Sequence, residues 1–474
     1  MRKVRAVGYP DGATSVSESE PVPLAVPRVP AAPGAEAGSG HQLPNAQQPQ
    51  TPEALGTGFD PTWRRTFYTL CVTQMMAMLA FGMALPFLPL FVQRLGIPDP
   101  RAAARWAGAM TSGGALVMAL LAPVWGELAD RYGRKPMVTR ALLGGGAIVS
   151  AMSLVRSPTQ LLALRLLQGA FSGTVSASRT LLASVVPAAE LGFTLGAIQT
   201  AQFVGTSAGP LLGGVIADHL GYRATFAATG AVLMAGGVAV LRLVREHFVP
   251  PAPSGDQRAN GVAASIRLIF EVPGLAALIG TLFFVQAGVS AVSPVLALFV
   301  QSLLPGQGEN VASLAGLILG ATAVTSAFAA SAAGRLGDRI GHERTIAICA
   351  IGGGLLYLPQ AIVTSPWQLL GLRAALGIFD GGLMPSVMAT IALRSPVARR
   401  GLIFGLTAMA TSLGNAAGPA AGALAASAFG LRASFILTAL VLTTAGVWVA
   451  LALAPRPAAR PAGRSPAAKT RTGG

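Results

Sequence analysis

The sequence predicts an all-α membrane protein in which twelve transmembrane helices form two pseudo-symmetric halves of six helices each. Three observations predict this fold: an apolar composition, an internal repeat and an uneven distribution of basic residues. Of the 474 residues, 52% are apolar and only 11% are charged, and the mean hydropathy is +0.60. Because a soluble domain carries about 25% charged residues, most of this chain is expected to lie in a lipid bilayer.

The internal repeat is the most informative of the three observations. The segment GELADRYGRK at 126–135 returns as GRLGDRIGHE at 334–343, which is 208 residues later. The segment AGPLLGG at 208–214 returns as AGPAAGA at 417–423, at an offset of 209 residues. Two copies of one apolar unit predict a pseudo-symmetric membrane protein with its functional site between the halves.

The individual helices follow from apolar runs, because a spanning helix needs about 20 predominantly apolar residues. Twelve such runs occur, six in each copy of the repeat. Trp63 and the two arginines after it mark the beginning of the first span. The twelve spans are predicted at 67–92, 104–125, 137–155, 158–186, 192–217, 223–243, 275–301, 311–333, 345–363, 366–393, 401–427 and 431–454.

Three polar or low-complexity segments lie outside the two halves, which are predicted at 63–243 and 275–454. Residues 1–62 are rich in Pro, Ala, Gly, Ser and Gln and lack the apolar core of a signal peptide. A disordered cytoplasmic tail is therefore expected there. Residues 455–474 form a second tail of the same kind, and 244–274 are expected to be a cytoplasmic linker between the halves.

The basic residues predict the orientation of the chain in the membrane. With the N-terminus inside, fourteen basic residues fall on inward-facing loops and helix ends between the spans, against six on the outward side. This positive-inside bias predicts a multi-pass protein of the cytoplasmic (inner) membrane with both termini in the cytoplasm. The net charge of +16 follows from this topology and does not indicate a nucleic acid partner.

The repeated segment at the end of the second span predicts either a topology anchor or a gating latch. Gly126 allows close packing, and Gly133 suits a left-handed turn that a branched residue adopts only at a cost. Asp130 can accept hydrogen bonds from backbone amides or from the basic side chains beside it. Recurrence at the equivalent place favours the latch. The gating residues are Gly126, Asp130, Arg131, Gly133, Arg134, Asp338, Arg339 and Gly341.

Small residues line one face of the fifth span. Gly205, Gly209 and Gly213 recur every four residues, a spacing that lets two membrane helices approach closely, while Pro210 favours a bend. Gly214 completes the pattern. Two interpretations are open: ordinary tight packing, or a helix at which the halves also rock. The G-T-S-A-G pattern within this span, centred on Ser207, matches the pattern around a serine nucleophile. Such a nucleophile needs a strand-to-helix turn, so Ser207 in an apolar helix is not expected to be one.

Asp380, in the tenth span, is the only carboxylate deep within any predicted span. Its counterpart in the first copy of the repeat is Ser172. Ionisable side chains are costly at this depth, so they usually face a cavity and serve function. Asp380 is expected either to take up and release a proton or to be the structural partner of an arginine. Proton handling is the favoured interpretation.

Three arginines also stand out within the predicted spans. Arg165 and its twin Arg373 are expected either to tune a proton site at Asp380 or to extend outward to the membrane surface. Arg373 lies seven residues before Asp380, about 10 Å along the same helix. Arg179 has no basic twin, and three roles are open for it: pairing with Asp380 across the halves, attracting anionic substrates, or extending to the cytoplasm. The predicted proton-coupling residues are Asp380, Arg165 and Arg373.

Apolar and amide side chains are expected to line a central cavity between the halves. Methionine is flexible and suits surfaces that bind varied ligands, although packing alone would explain any one of these side chains. The predicted cavity residues are Gln74, Met78, Phe81, Gln168, Arg179, Phe283, Gln286, Met384 and Asn415.

The sequence predicts no enzyme activity, no metal site and no cofactor. A Walker A pattern is absent, so the chain itself is not expected to hydrolyse ATP. Cys71 and Cys349 lie inside predicted spans and indicate no disulfide. The four histidines are scattered over the tail and loops: His41, His219, His247 and His342.

These motifs together resemble the major facilitator superfamily over about 67–454. The segment 126–135 resembles the inner-loop signature of that superfamily. The residues from Arg165 to Gly169 resemble its fourth-helix signature. The residues from Gly205 to Gly214 resemble the fifth-helix signature of its antiporters. Further segments, among them PFLPLFV at 86–92, are similar to MdtG-type multidrug efflux proteins of the drug:proton antiporter group. The first span has no acidic residue, so the proton site found there in some antiporters does not carry over.

The resemblance implies a twelve-helix bundle with alternating access that exports drug-like compounds in exchange for protons. It implies a proton-coupling role for Arg165, a latch of the outward-facing state at Asp130, and an antiporter bend at Gly209 and Pro210. The expected partners are the bilayer, a small drug-like molecule and protons, and a monomer is expected because one chain holds a whole transport unit. The alternative is an exporter or symporter of one metabolite, such as a sugar or amino acid. A receptor or membrane enzyme is disfavoured.

Overall fold

The computed structural model describes residues 63–187, 190–246, 248, 274–304, 310–395 and 400–453, and these contain helices and no strand. The predicted tails and most of the predicted linker lie outside the described residues. The helices are α1 (Trp63–Ala84), α2 (Leu88–Arg94), α3 (Pro100–Tyr132), α4 (Arg134–Met152), α5 (Pro158–Phe171), α6 (Thr174–Val185), α7 (Leu191–Leu220), α8 (Tyr222–Leu243), α9 (Leu275–Ala291), α10 (Leu296–Ser302), α11 (Val311–Ile340), α12 (His342–Ile362), α13 (Pro366–Arg394), α14 (Arg400–Phe429) and α15 (Ala433–Ala452).

Each of the twelve predicted spans coincides with one of these helices or with two consecutive ones. The first, fourth and seventh spans are broken, into α1 and α2, α5 and α6, and α9 and α10. A 3₁₀ turn at Leu85–Phe87 separates α1 from α2, where Pro86 and Pro89 lack the N–H that a continuous helix would need. Gly173, at a φ of 115°, begins α6.

Eight of the spans are long and apolar enough to cross a membrane by length and composition alone. The other four fall short for reasons that the sequence makes plain. The break at Gly173 leaves α5 and α6 with 14 and 12 residues. Helix α4 carries three basic residues, and α7 and α14 contain many Gly, Ala, Ser and Thr residues. The all-α membrane fold is confirmed.

The repeat seen in the sequence is also a repeat in three dimensions. We call α1–α8 the first half and α9–α15 the second half. Helix α1 packs on α7 as α9 packs on α14, and α4 packs on α8 as α12 packs on α15. The twin ring pairs Phe91–Phe226 and Phe299–Phe435 have centroid separations of 5.0 and 4.7 Å. The helix turns at Gly133 and Gly341 share a φ of 95°, which only glycine adopts at little cost.

The halves meet along two seams, α7 with α11 and α3 with α14. Both seams lie at one end of the bundle. The buried residues of α3 all fall between Ala103 and Gly114, and none lies in its last 18 residues. We call the end formed by the beginnings of α3 and α11 and the last turns of α7 and α14 the closed end. The opposite end, which carries Gly133 and Gly341, is the open end.

Candidate functional site

The closed end is sealed by two symmetric contacts between a proline carbonyl and a glycine. A Cβ atom at Gly108 of α3 would lie 2.9 Å from the carbonyl oxygen of Pro419 in α14. A Cβ atom at the twin residue, Gly316 of α11, would lie 2.8 Å from the carbonyl carbon of Pro210 in α7. Real Cβ atoms do not approach backbone so closely, so both positions require glycine while this end is closed.

The predicted small face of α7 lies against α1 of the same half. A Cβ atom at Gly209 would lie 2.9 Å from the Cα of Gly82, and the ring of Pro210 also lies against Gly82. The neighbouring face of α7 contacts the other half, since a Cβ atom at Gly214 would lie 2.7 Å from the carbonyl carbon of Ala312. One helix therefore joins tight packing within a half to the seam between halves. Gly205 and Gly213 also contact α1.

A polar network crosses the interior of the first half and ends at Arg179. The fully buried Gln74 of α1 donates to the hydroxyl of Ser178 in α6 at 2.7 Å. Gln202 Nε2 of α7 donates to Gln74 Oε1 at 3.1 Å. The exposed Arg179 donates to the Oε1 atoms of Gln202, at 3.2 Å, and of Gln199. Arg179 is thus the positive charge of this network, and its hydrogen-bond partners among the described residues are neutral glutamines.

The second half has a shorter network between the corresponding helices. Gln286 of α9 donates to Asn415 Oδ1 of α14 at 2.7 Å. Gln286 corresponds to Met78, so this amide pair lies one turn away from the position of the Gln74 pair. The predicted cavity residues Met78, Phe81, Phe283 and Met384 are half-buried.

Arg165 and Arg373 lie inside their own halves rather than at the membrane surface. Their exposed fractions are only 7% and 6%, so neither side chain extends outward as the alternative interpretation required. Arg165 donates to Gln168, and both line a narrow crevice that Phe81 also borders. The Arg373 guanidinium lies 5.3 Å from the ring centroid of Tyr357. Within the described residues, neither arginine has a carboxylate within 4.0 Å.

Asp380 lies midway along α13 and forms no hydrogen bond or ion pair with the described part of the chain. Its Oδ1 atom would be 4.0 Å from a Cβ atom at Gly353 of α12. The cross-half pair between Asp380 and Arg179 is not formed, because the guanidinium of Arg179 is bonded to two glutamines of α7 instead. A carboxylate held in a membrane helix without a bonded cation suits reversible proton binding.

The gating segment lies at the open end, and its hydrogen bonds differ from those expected. Asp130 is exposed and makes no hydrogen bond or ion pair in the ranges that the structure covers. Glu246 instead accepts from the backbone N–H groups of Arg134, at 2.9 Å, and Lys135, at 2.7 Å. The predicted bonds of Asp130 to its neighbours are absent because Glu246, just after α8, already caps the beginning of α4.

The second copy of the gating segment is held by side-chain contacts within its own half. Asp338 Oδ1 lies 3.4 Å from His342 Nε2, and Glu343 pairs with Arg394 of α13. Asp338 is largely exposed. Both gating aspartates therefore face the open end, where the halves are apart. Among the described residues, no three His, Cys, Asp or Glu side chains cluster as a metal site would need.

The repeat, the seams and the membrane helices are those of one known family. The model of that family, Major Facilitator Superfamily, matches this chain at 70–307 and again at 303–473. The chain belongs to the major facilitator superfamily. It is accordingly a multi-pass membrane protein of two related six-helix halves.

Several curated superfamily members are similar to this chain over most of its length. "Multidrug resistance protein MdtG" of Serratia proteamaculans (strain 568) is 34% identical over 395 residues, which cover 83% of this chain and 95% of that protein. The protein of the same name from Klebsiella pneumoniae (strain 342) is 36% identical over 381 residues, which cover 80% and 91%. The resemblance to MdtG-type proteins is thereby confirmed.

Solved structures of superfamily members share the fold at low sequence identity. A bacterial homolog of the human lysosomal transporter Spinster, in an inward-facing and occupied conformation, has a TM-score of 0.71 at 15% identity and covers 84% of this chain and 98% of its own. The human organic anion transporter MFSD10 has a TM-score of 0.59 at 19% identity and covers 82% and 100%.

Sequence reasoning missed three charged residues of this superfamily member. Arg140 was counted only as a basic helix end, yet its guanidinium lies 3.4 Å from the ring centroid of Trp125 and donates to the Ser172 carbonyl at 3.3 Å. Glu246 and Asp218 were not singled out, although both cap helices of other parts of the chain. An arginine within the apolar run of α4 was a usable signal, whereas neither carboxylate carries any local pattern.

Proposed function

We propose that this chain is a secondary active transporter that exports drug-like compounds across the cytoplasmic membrane in exchange for protons by alternating access. The observation that carries the proposal is the pair of twin seams, which close one end of the bundle and leave the other open. The MdtG relatives, named multidrug resistance proteins, support the choice of drug-like compounds. One chain carries both halves, so the functional unit is a monomer.

The open end faces the cytoplasm in this proposal, and both termini lie on that side. The distribution of basic residues supports this orientation, because inward-facing loops carry an excess of Lys and Arg. The basic residues of the repeated gating segments, Arg131, Arg134, Lys135 and Arg339, all lie at the open end. The structure then represents the inward-facing state, in which a compound enters from the cytoplasm or the inner leaflet.

The substrate binds between the two amide networks. The Gln74–Gln202 pair and the Gln286–Asn415 pair offer hydrogen-bonding groups from opposite halves. Half-buried Met and Phe side chains supply an adaptable apolar surface. Arg179 adds a positive charge in the first half and attracts anionic groups on the substrate.

Asp380 carries the proton, and Arg165 and Arg373 adjust its affinity from within the halves. When the cytoplasmic end closes and the other end opens, Asp380 receives a proton from outside. Reopening to the cytoplasm releases that proton inward, down a potential worth about 2.3 kcal/mol per 100 mV. Asp130 and Asp338 bias the closure of the cytoplasmic end, because closure brings these exposed carboxylates toward the opposite half.

Proton-coupled export is tested with the purified full chain in proteoliposomes. A fluorescent cationic dye and an anionic drug are loaded separately, a pH gradient is imposed and then collapsed with an uncoupler, and efflux is followed together with internal pH. We expect the protein to move the drug against the drug's own concentration gradient while the pH gradient is present. This movement should stop when the uncoupler collapses the pH gradient. Flux of one sugar or amino acid only would favour the metabolite carrier. Absence of any gradient-dependent flux would contradict the proposal.

Replacing Arg179 by glutamine is expected to change the charge preference of export. Loss of the guanidinium should reduce the efflux of an anionic drug by about tenfold, since a hydrogen bond to a charged group contributes about 1.5–3 kcal/mol. Efflux of the cationic dye should be unchanged or faster. Arg179→Lys is the control that keeps the charge and should keep most of the anion flux. Equal losses for both compounds would assign Arg179 a structural role.

A further inference from the structure

The last turn of α7 and the first turn of α11 meet across the seam at the closed end. Helix α11 begins after Asn310, which has a φ of 72° and provides no side-chain cap. The first N–H groups of a helix have no partner within it. The carboxylate of Asp218, in α7, accepts from two of them, Ala312 N at 3.1 Å and Ser313 N at 2.6 Å. A side chain of the first half therefore caps a helix of the second half.

These two bonds differ in kind from every other contact across the seams. Among the described residues, no other side-chain hydrogen bond and no ion pair joins the two halves. Most of the remaining contacts pack backbone and small or apolar side chains, such as Gly316 against Pro210 and Gly108 against Ala423. The guanidinium of Arg101 also lies beside Gly430 of the other half. Among the described residues, the carboxylate of Asp218 is thus the charged group that is hydrogen-bonded across the seal at this end.

The charged contact exists in only one of the two seams. The twin of Asp218 is Ser427, whose hydroxyl donates to the Leu424 carbonyl of its own helix at 2.9 Å. Helix α3, the twin of α11, is capped by Asp99 immediately before it, through Ala102 N at 2.8 Å. Capping of α3 therefore survives any movement between the halves, whereas capping of α11 does not.

We propose that Asp218 is the latch of the closed end, which favours the conformation that is closed there. An ionised carboxylate offers two acceptor oxygens, and its charge is favoured at the positive end of a helix dipole. Separation of the halves at this end breaks both bonds and leaves two N–H groups of α11 uncapped. The inference rests on the proposed function, because only alternating access requires this end to open.

Asparagine at this position should weaken the latch without removing the side chain. Its amide has one acceptor oxygen, and its NH₂ group would face a second N–H donor. We expect Asp218→Asn to raise the population that is open at this end by about tenfold, the effect expected from losing one hydrogen bond to a charged group. Asp218→Ala should act in the same direction, and Asp218→Glu should restore part of the closed population.

The test measures distances between the halves in the full chain, without substrate or gradient. Spin labels at Pro98→Cys and Ser302→Cys, in a background with Cys71 and Cys349 replaced by alanine, report the separation at the closed end by pulsed electron paramagnetic resonance. Asp99→Asn is the matched control, because it makes the same change in a cap that lies within one half. We expect more of the longer distance for Asp218→Asn and an unchanged distribution for Asp99→Asn.

Two results would overturn the latch. One is the same distance distribution in wild type and Asp218→Asn, with both proteins monodisperse. The other is an equal shift in Asp99→Asn, which would assign both residues an ordinary role in helix stability. The measurement stands apart from the transport assay: a chain that exports no drug can still show the shift, and a chain that exports drug can lack it.

Discussion

Replacing Asp380 by asparagine is expected to reduce proton-driven export by about 5- to 150-fold, the range that a coupling free energy of about 1–3 kcal/mol produces. Asparagine has nearly the same shape but cannot bind and release a proton. Asp380 has no bonded cation in the described residues, so its neutral replacement breaks no ion pair there. The variant should therefore fold and reach the membrane in normal amounts. Efflux from proteoliposomes under an imposed pH gradient is the measurement.

A second measurement on the same variant separates coupling from substrate binding. Exchange of labelled for unlabelled drug across the membrane, without a pH gradient, should persist in Asp380→Asn because exchange needs no net proton movement. Asp380→Glu should retain part of the coupled flux. Asp99→Asn, at an exposed position of the closed end, controls for loss of an aspartate as such. Gradient-dependent export at the wild-type rate in Asp380→Asn would place the coupling carboxylate elsewhere.

Valine at Gly316 is expected to prevent the closed end from closing and to abolish net transport. The added side chain would meet the backbone of Pro210 at less than van der Waals distance, and backbone on both sides leaves no flexible group to move aside. Overpacking of this kind costs about 1–3 kcal/mol, and it destabilises only the closed conformation. We expect an increase of about 5- to 150-fold in the ratio of open to closed molecules at this end.

Labelling with an impermeant thiol reagent at Ser302→Cys, together with drug efflux, checks the valine variant. The twin variant Gly108→Val should behave in the same way, because its Cβ meets the Pro419 carbonyl and Ala423. Gly280→Val is the matched control, since nothing lies within 4 Å of a Cβ atom at that helical glycine. Normal export by Gly316→Val would show that this contact is not needed for closure.

The fold was predictable because its determinants are local or repeated. A run of apolar residues needs only its own length to predict a membrane helix, and the 208-residue offset predicts that equivalent helices have equivalent neighbours. Phe91–Phe226 and Phe299–Phe435 meet that expectation ring for ring. The breaks in the first, fourth and seventh spans were not predicted, although the prolines and Gly173 beside them provided a signal.

The residues of the candidate site were predictable from their type, but the contacts that those residues make were not. Arg165, Asp380 and Arg179 stand out in sequence because charge is rare and costly in a bilayer. Arg165 donates to Gln168 of its own helix, whereas Arg179 has its partners on another helix, at separations that no local pattern encodes. Arg179 was open to three roles, and the structure places it on Gln199 and Gln202 instead of on Asp380. The roles of these residues in coupling and binding remain predictions.

The sequence by itself determined that this chain is a membrane protein of two related halves, and where its helices, glycine faces and buried charges lie. Hydrophobicity and repetition act along the chain, so they can be read without coordinates. Only the tertiary structure decided that Glu246, and not Asp130, caps α4, and that Asp218 caps a helix of the opposite half. A hydrogen bond depends on atoms brought within about 3 Å, and the packing of distant helices alone determines which atoms those are.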